Sequence, residues 1–102
     1  MITSKQRSFL RKLVQDIQPT VYIGKNGLTG TVLDELEKVL DAHELVKVKV
    51  QEGCLEDLKD LANDSANAIG ADVVQVIGRK FSLYRQSEKK LIELPKEKKT
   101  KK

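Results

Sequence analysis

Four consecutive residues, Gly24-Lys25-Asn26-Gly27, combine backbone freedom with a cation and a neutral amide. Glycine adopts positive φ without steric cost and lets the backbone approach a ligand closely. Lysine supplies a point charge for an anion, and asparagine can hydrogen-bond to a phosphate, a sugar or a base edge. Together these residue types favour a cradle for a phosphate group, and we refer to residues 24–27 as the glycine loop.

The surroundings of the glycine loop favour the same chemistry. Residues 20–23 are β-branched or aromatic and predict a short strand before the loop. Thr29 is a candidate N-cap for a helix after it, whose unpaired amides and positive dipole end would favour an anion. The alternative is a plain strand-to-helix turn that binds nothing, and the four residues alone leave it open.

Other chemistries find little support in the sequence. A Walker A loop requires Lys-Ser/Thr after its second glycine, where this chain has Leu28 and Thr29, and a dinucleotide fingerprint requires a third glycine. One histidine and one cysteine make a zinc site or a Cys-His nucleophile poorly supported. Since no acid–base pair can be named either, we expect no enzyme, metal, cofactor or small-molecule substrate.

Charge is divided unevenly along the 102 residues. Residues 1–28 hold five basic residues and one acid, residues 29–78 four and eleven, and residues 79–102 ten and three. The ends are therefore basic, at +4 and +7, and the middle is acidic, at −7. If the fold brings the two basic ends of the chain together, they form a site for a polyanion. Otherwise the basic residues only keep separate surfaces solvated. The basic residues expected at the site are Lys5, Arg7, Arg11, Lys12, Arg79, Lys80 and Arg85.

Apolar periodicity predicts three helices. Thr3 and Gln6 have capping-box spacing before an apolar stripe over residues 9–17, and Pro19 stops that helix. Its basic side chains lie outside the stripe, so the helix packs with one face and presents cations on the other. The other two predicted helices cover apolar stripes at residues 32–40 and 55–69, with Gly70 ending the last.

The segments between the helices predict strands. Residues 45–51 alternate valine with lysine or glutamine, which indicates a half-buried strand with a lysine-bearing face. Residues 73–77 are mostly apolar and are expected at the centre of the sheet, and Gly78-Arg79 is a hairpin turn into residues 80–84. The order α-β-α-β-α-β-β predicts a single-domain α/β sandwich with a mixed four-stranded sheet, in which crossovers make the first three strands parallel.

Composition also bears on location and on the mode of recognition. No stretch approaches the ~20 apolar residues that span a bilayer, and residues 1–11 lack the apolar region of a signal peptide. We therefore expect a cytoplasmic protein, without membrane association, that acts as a monomer. With no tryptophan, two tyrosines and two phenylalanines, recognition should rely on phosphates and shape rather than on a stacking platform.

Three parts of the chain resemble the signature of the CRM (chloroplast RNA splicing and ribosome maturation) domain. They are residues 21–29 (VYIGKNGLT), residues 43–49 (HELVKVK), and residues 74–79 (VQVIGR) with 83–85 (LYR). They occur in the right order across residues 1 to about 95. The stand-alone bacterial form of this domain is the YhbY-type protein.

The resemblance implies an RNA-binding domain whose fold is similar to the C-terminal domain of a bacterial translation initiation factor. It also implies association with precursors of the large ribosomal subunit, with Gly24, Lys25, Asn26 and Gly27 as the RNA contact. Our leading hypothesis is thus an assembly factor that binds ribosomal RNA. The alternatives are a DNA-binding chromatin-type protein and a protein-binding module on the ribosome. The predicted domain is residues 1–95; residues 96–102, outside the family pattern, predict a disordered lysine-rich tail.

Overall fold

The structure is a computed structural model that describes residues 2–95. Its elements are α1 (Ser4–Val14), β1 (Val21–Ile23), α2 (Gly30–His43), β2 (Leu45–Val50), α3 (Leu58–Ile69), β3 (Asp72–Ile77) and β4 (Lys80–Tyr84). This order confirms the predicted α/β class. The predicted tail, residues 96–102, lies outside the described residues, and the domain boundary at residue 95 stays a prediction.

The four strands form one mixed sheet in the order β1-β2-β4-β3. β1 and β2 are parallel, and β4 is antiparallel to both β2 and β3. The mixed four-stranded sheet confirms the prediction, but the expected central position of β3 is wrong, because β3 lies at an edge and β4 inside. α3 packs on one face of β3, and α1 packs on the first half of the other face, so the apolar sequence of β3 does not require a central position.

Two apolar clusters hold the three layers together. The larger cluster joins α2 and α3 to one sheet face, and its most deeply buried large side chains are Phe81, Leu83, Ile23, Leu36, Leu40 and Leu61. The smaller cluster joins α1 to the other face through Leu10, Val14, Leu45, Val74 and Tyr84. Phe81 and Tyr84 thus point to opposite faces of β4, as the alternation in this strand predicts.

The helix starts follow local capping chemistry. Thr3 and Gln6 form the predicted capping box, with the Gln6 amide 3.1 Å from Thr3 Oγ1 and the Thr3 amide 3.0 Å from Gln6 Oε1. α3 differs from its prediction, because Leu55 lies outside the helix and is 95% exposed. The N-cap is Asp57, whose carboxylate accepts from the Asp60 amide at 3.2 Å and so begins α3 at Leu58.

Glu44 ends α2 and connects it to the segment after β4. It has a φ of +67°, a left-handed conformation that costs a non-glycine residue about 1–2 kcal/mol. Its side chain is fully buried. One carboxylate oxygen accepts from the amide and hydroxyl of Ser87 at 2.8 and 2.6 Å, and the other accepts from the Ile92 amide at 2.7 Å. These bonds fasten residues 87–92 onto the end of α2.

The hydrogen bonds also determine the protonation state of Glu44. Burial by itself raises the pKa of this carboxyl, but the bonds from Ser87 and Ile92 favour the charged form and lower the pKa from 4.5 to about 2. Glu44 is therefore a buried carboxylate, charged at neutral pH, whose negative charge is distributed over donors from a distant part of the chain.

Candidate nucleic-acid interface

The glycine loop is a hydrogen-bonded turn at the carboxyl end of β1. The amide of Gly27 donates to the carbonyl of Gly24 at 3.0 Å, and Gly27 has a φ of +70° that favours glycine. Lys25 and Asn26 occupy the two central positions and are exposed. The turn therefore presents one cation and one amide to solvent on a backbone that its own hydrogen bond holds in place.

The loop between β2 and α3, residues 51–57, supports the glycine loop from one side. A Cβ atom built on Gly27 would collide with the carboxylate of Glu56, and one built on Gly53 would lie 3.4 Å from the Cβ of Lys25. The Gln51 amide donates to the carbonyl of Ile23 at 2.8 Å, directly before the turn. Glycines at positions 27 and 53 thus allow the two loops to pack closely.

The start of α2 adds backbone donors beside the loop. Thr29 is the predicted N-cap, and its hydroxyl accepts from the Val32 amide at 3.2 Å. The first amides of a helix have no carbonyl partner within it, and the first turn of α2 holds no acidic residue. The exposed amides at Gly30 and Thr31 and the positive end of the helix dipole therefore favour an anion near this end of the sheet.

Two of the predicted basic contacts, Arg79 and Lys80, lie at the same end of the sheet as the glycine loop. β1, β2 and β3 point in one direction, so the loops that follow them gather there. The Arg79 guanidinium donates to the carbonyls of Val50, Gln51 and Cys54 at 3.1, 2.7 and 3.2 Å. Arg79 therefore braces the loop that supports the glycine loop.

Arg7 and Arg85 lie elsewhere, so the expectation that the basic ends converge on the glycine loop is only partly met. Arg7 donates to the carbonyl of Val73 at 3.1 Å, at the start of β3, diagonally across the sheet from the loop. Arg85 follows the far end of β4 and bonds Asp41 at 2.8 Å, Glu37 at 3.4 Å and the Ile69 carbonyl at 2.7 Å. These contacts give both arginines structural roles, and their role as RNA contacts stays a prediction.

The remaining predicted basic residues lie on α1. Lys5, Arg11 and Lys12 are exposed, and Arg11 bonds the Ser8 hydroxyl at 3.0 Å. α1 packs on the sheet face opposite α2, so its cations lie on another side of the sheet from the start of α2. Their role as RNA contacts stays a prediction.

Residues that the sequence did not predict for the site also lie at the glycine-loop end of the sheet. Glu56 and Gly53 were not predictable, because their proximity to the glycine loop depends on how two loops pack. Lys47 and Lys49 were visible as the lysine-bearing face of a strand, but alternation alone does not say what that face meets.

Across residues 2–95, no group of three or more histidine, cysteine or acidic side chains is arranged to hold a metal ion. None of the helices in that part of the chain has the length and apolar character needed to cross a bilayer.

Comparison with known proteins finds a matching domain family and relatives that are named as RNA-binding proteins. The sequence matches the CRS1/YhbY (CRM) domain over residues 2–85. It is 38% identical to a Bacillus subtilis protein named as a probable RNA-binding protein, YqeI, over 93% of this chain and 100% of that protein. It is 42% identical to an RNA-binding protein of Haemophilus influenzae, over 92% of this chain and 95% of that protein. The solution structure of a hypothetical protein from Staphylococcus aureus superposes with a TM-score of 0.80 at 40% identity, covering 93% of this chain and 100% of that one.

Proposed function

The chain belongs to the CRS1/YhbY (CRM) domain family, and on that premise we propose that it binds ribosomal RNA during assembly of the large ribosomal subunit. The observation that carries the proposal is the exposed Lys25-Asn26 turn, held by its own hydrogen bond beside the start of α2. It offers a cation, an amide and backbone donors to one phosphate group. Relatives named for RNA binding support the class of ligand.

The structure favours recognition through the RNA backbone. At the glycine-loop end of the sheet the exposed or partly exposed cations are Lys25, Lys49, Arg79 and Lys80, with Lys47 one row further in. Such contacts position a protein on RNA and are weakly dependent on base sequence. The fold of a structured rRNA segment would then supply the specificity.

The first test of the proposal is the salt dependence of RNA binding. If about four to six phosphates are neutralised, log K should fall against log salt with a slope near −3 to −5. The measurement is a titration of purified protein with a structured rRNA fragment at several salt concentrations, with duplex DNA as competitor. A slope near zero, or tighter binding to DNA than to RNA at equal salt, would contradict the proposal.

The rRNA assignment has its own test in cells. Crosslinking followed by sequencing of bound RNA should recover segments of large-subunit rRNA above small-subunit rRNA, transfer RNA and messenger RNA. Neutralising Lys25 should reduce this recovery because the contact is electrostatic. Particle association that survives loss of the basic surface would instead support a protein-binding module.

Glu56 provides a prediction in the opposite direction. Its carboxylate lies against Gly27, where it adds negative charge to the proposed phosphate cradle. Glu56→Gln should therefore strengthen RNA binding by roughly 2- to 5-fold at low salt, and less at high salt. The control is Glu88→Gln, an equal change of charge at an exposed residue beyond β4. Equal effects of the two variants would mean that only net charge matters.

A further inference from the structure

α1 covers only half of its sheet face. It packs over Leu45, Tyr84 and Val74, which belong to the smaller apolar cluster. The next row toward the glycine loop, Lys47, Ser82 and Gln75, lies beside the end of α1, so Ser82 is buried and the other two are half-buried. The last row is Tyr22, Lys49, Lys80 and Ile77, which are exposed or half-buried, and we call these two rows the open sheet face.

The lysines of the open sheet face have no acidic partner within residues 2–95. Lys49 and Lys80 are directly opposite each other on β2 and β4. Lys47, two residues along the same face, donates to the carbonyl of Val14 at 3.3 Å. Like charges opposite each other destabilise a sheet. Both ion pairs found in residues 2–95 involve Arg85, so no acid neutralises these lysines there. The opposed lysines therefore do not stabilise the fold, whereas a bound polyanion would neutralise their charges.

Tyr22 flanks the lysines at the β1 edge. It lies beside Lys49 in register and is 51% exposed, whereas the other tyrosine, Tyr84, is buried. The Tyr22 hydroxyl lies 3.4 Å from the carbonyl of Pro19, a long contact at an exposed position. An exposed aromatic ring beside a cation matches one nucleotide, because a base can stack on the ring while its phosphate meets the lysine.

The rest of the open sheet face forms a groove. A cavity of about 440 Å³ lies between the end of α1 and the β3–β4 turn, and it is lined in part by Lys47, Lys80 and Gln75. Ile77, 61% exposed, lies at its far edge. An exposed ring beside lysines suits a strand of nucleotides better than an acidic peptide, because every nucleotide carries both a phosphate and a flat base that can stack.

We propose that the open sheet face binds a single-stranded segment of RNA, with one base on Tyr22 and its neighbouring phosphates on Lys49 and Lys80. This inference rests on the proposed function and adds the strand that continues from the glycine loop. Tyr22 precedes the loop by one residue of β1, so a single RNA segment can contact both. The expectation that aromatic stacking contributes little is thereby revised at one position.

The test compares three variants with the wild type. Tyr22→Leu removes the ring and should weaken binding of a short single-stranded RNA by roughly tenfold, whereas Tyr22→Phe keeps the ring and should bind as the wild type does. Inorganic polyphosphate has no bases, so its binding should be unchanged by Tyr22→Leu. Lys49→Gln with Lys80→Gln should weaken binding of both ligands and reduce the salt slope for RNA by about 1.4.

Thermal melting separates this interface from a structural role. Removing the opposed lysine pair should leave the melting temperature unchanged or raise it, because a repulsive contact is lost. The matched control is Lys38→Gln with Lys59→Gln, which removes two exposed lysines from α2 and α3 on the other side of the molecule. It should retain the wild-type RNA affinity and salt slope.

The outcomes distinguish the two proposals. If the open-sheet-face variants bind RNA as the wild type does while changes in the glycine loop weaken binding, this inference is wrong and the proposed function stands. If the wild type binds neither the single-stranded nor the structured RNA, both are wrong. Loss of acidic-peptide binding with RNA binding intact would assign the face to a protein and overturn the inference.

Discussion

Lys25→Asp combined with Asn26→Asp should weaken RNA binding at least tenfold while leaving the fold intact. The two glycines of the turn remain, so the bond between Gly27 and Gly24 can still form. The change introduces two carboxylates, altering the charge by −3 where the phosphate is proposed to bind. Loss of one or two charge-assisted contacts costs about 1.5–3 kcal/mol each.

Stability should change by less than about 1 kcal/mol in this variant. Lys25 and Asn26 are exposed, and acids near a helix N-terminus are tolerated or slightly stabilising. The measurement is a paired thermal melt and RNA titration. Lys59→Asp with Asn63→Asp is the matched control, because it makes the same substitutions at exposed positions of α3. A glycine-loop variant that folds and binds RNA as well as this control would show that the loop is only a turn.

Glu44→Gln should lower the free energy of unfolding by about 2–3 kcal/mol, which corresponds to a fall in melting temperature of roughly 10–20 °C for a domain of this size. Glutamine has one acceptor oxygen and an NH₂ group. The NH₂ group would therefore lie against the donors of either Ser87 or Ile92, and the hydrogen bonds from that residue would be lost. Because the side chain is fully buried, losing an acceptor there costs more than it would at an exposed position.

The same residue predicts a pH dependence. The pKa of Glu44 is about 2 in the folded protein, whereas the ordinary pKa of a glutamate side chain, which applies to the unfolded chain, is 4.5. A carboxyl whose pKa is lowered by folding stabilises the protein above its unfolded pKa. We therefore expect up to about 3 kcal/mol to be lost as the pH falls from about 5 to 2. The Glu44→Gln variant should lose less stability over this range than the wild type.

Glu35→Gln is the control for these measurements, since Glu35 is exposed on the same helix. It should melt within about 2–4 °C of the wild type, as surface substitutions usually change stability by less than about 0.5 kcal/mol. If Glu44→Gln behaves like Glu35→Gln in both the melt and the acid titration, residues 87–92 are not held by this carboxylate.

Local features of the fold were predictable because their partners are close in sequence. The capping box joins residues three apart, Thr29 caps the amide of Val32, and the two-residue turn at Gly78-Arg79 adopts its φ of +60° at a glycine. Strand alternation also assigned faces, since Val46 and Val48 are buried and Lys49 is exposed. In each case a few consecutive residues contain all the groups that determine the local structure.

Non-local features were not predictable in the same way. The carboxylate of Glu44 finds donors 43 and 48 positions later, and Arg79 finds carbonyls more than 20 positions earlier. Lysine and arginine have the same charge in a sequence whether they brace a loop or face solvent, so charge counting does not tell these two roles apart. The glycine loop was identified from its residues and its family resemblance, whereas the open sheet face required knowledge of which strand face α1 leaves uncovered.

The place of β4 in the sheet sets an order for biosynthesis. Within the described sheet, β4 (residues 80–84) lies between β2 and β3 and pairs with both of them. β4 is also the last of the four strands to be synthesised. A nascent chain that has emerged only as far as Ile77 lacks the strand that joins β3 to β2. Ser87 and Ile92 are synthesised later still, so the donors to the Glu44 carboxylate are the last of these groups to be made. We therefore expect that the sheet cannot close on a ribosome stalled before residue 80.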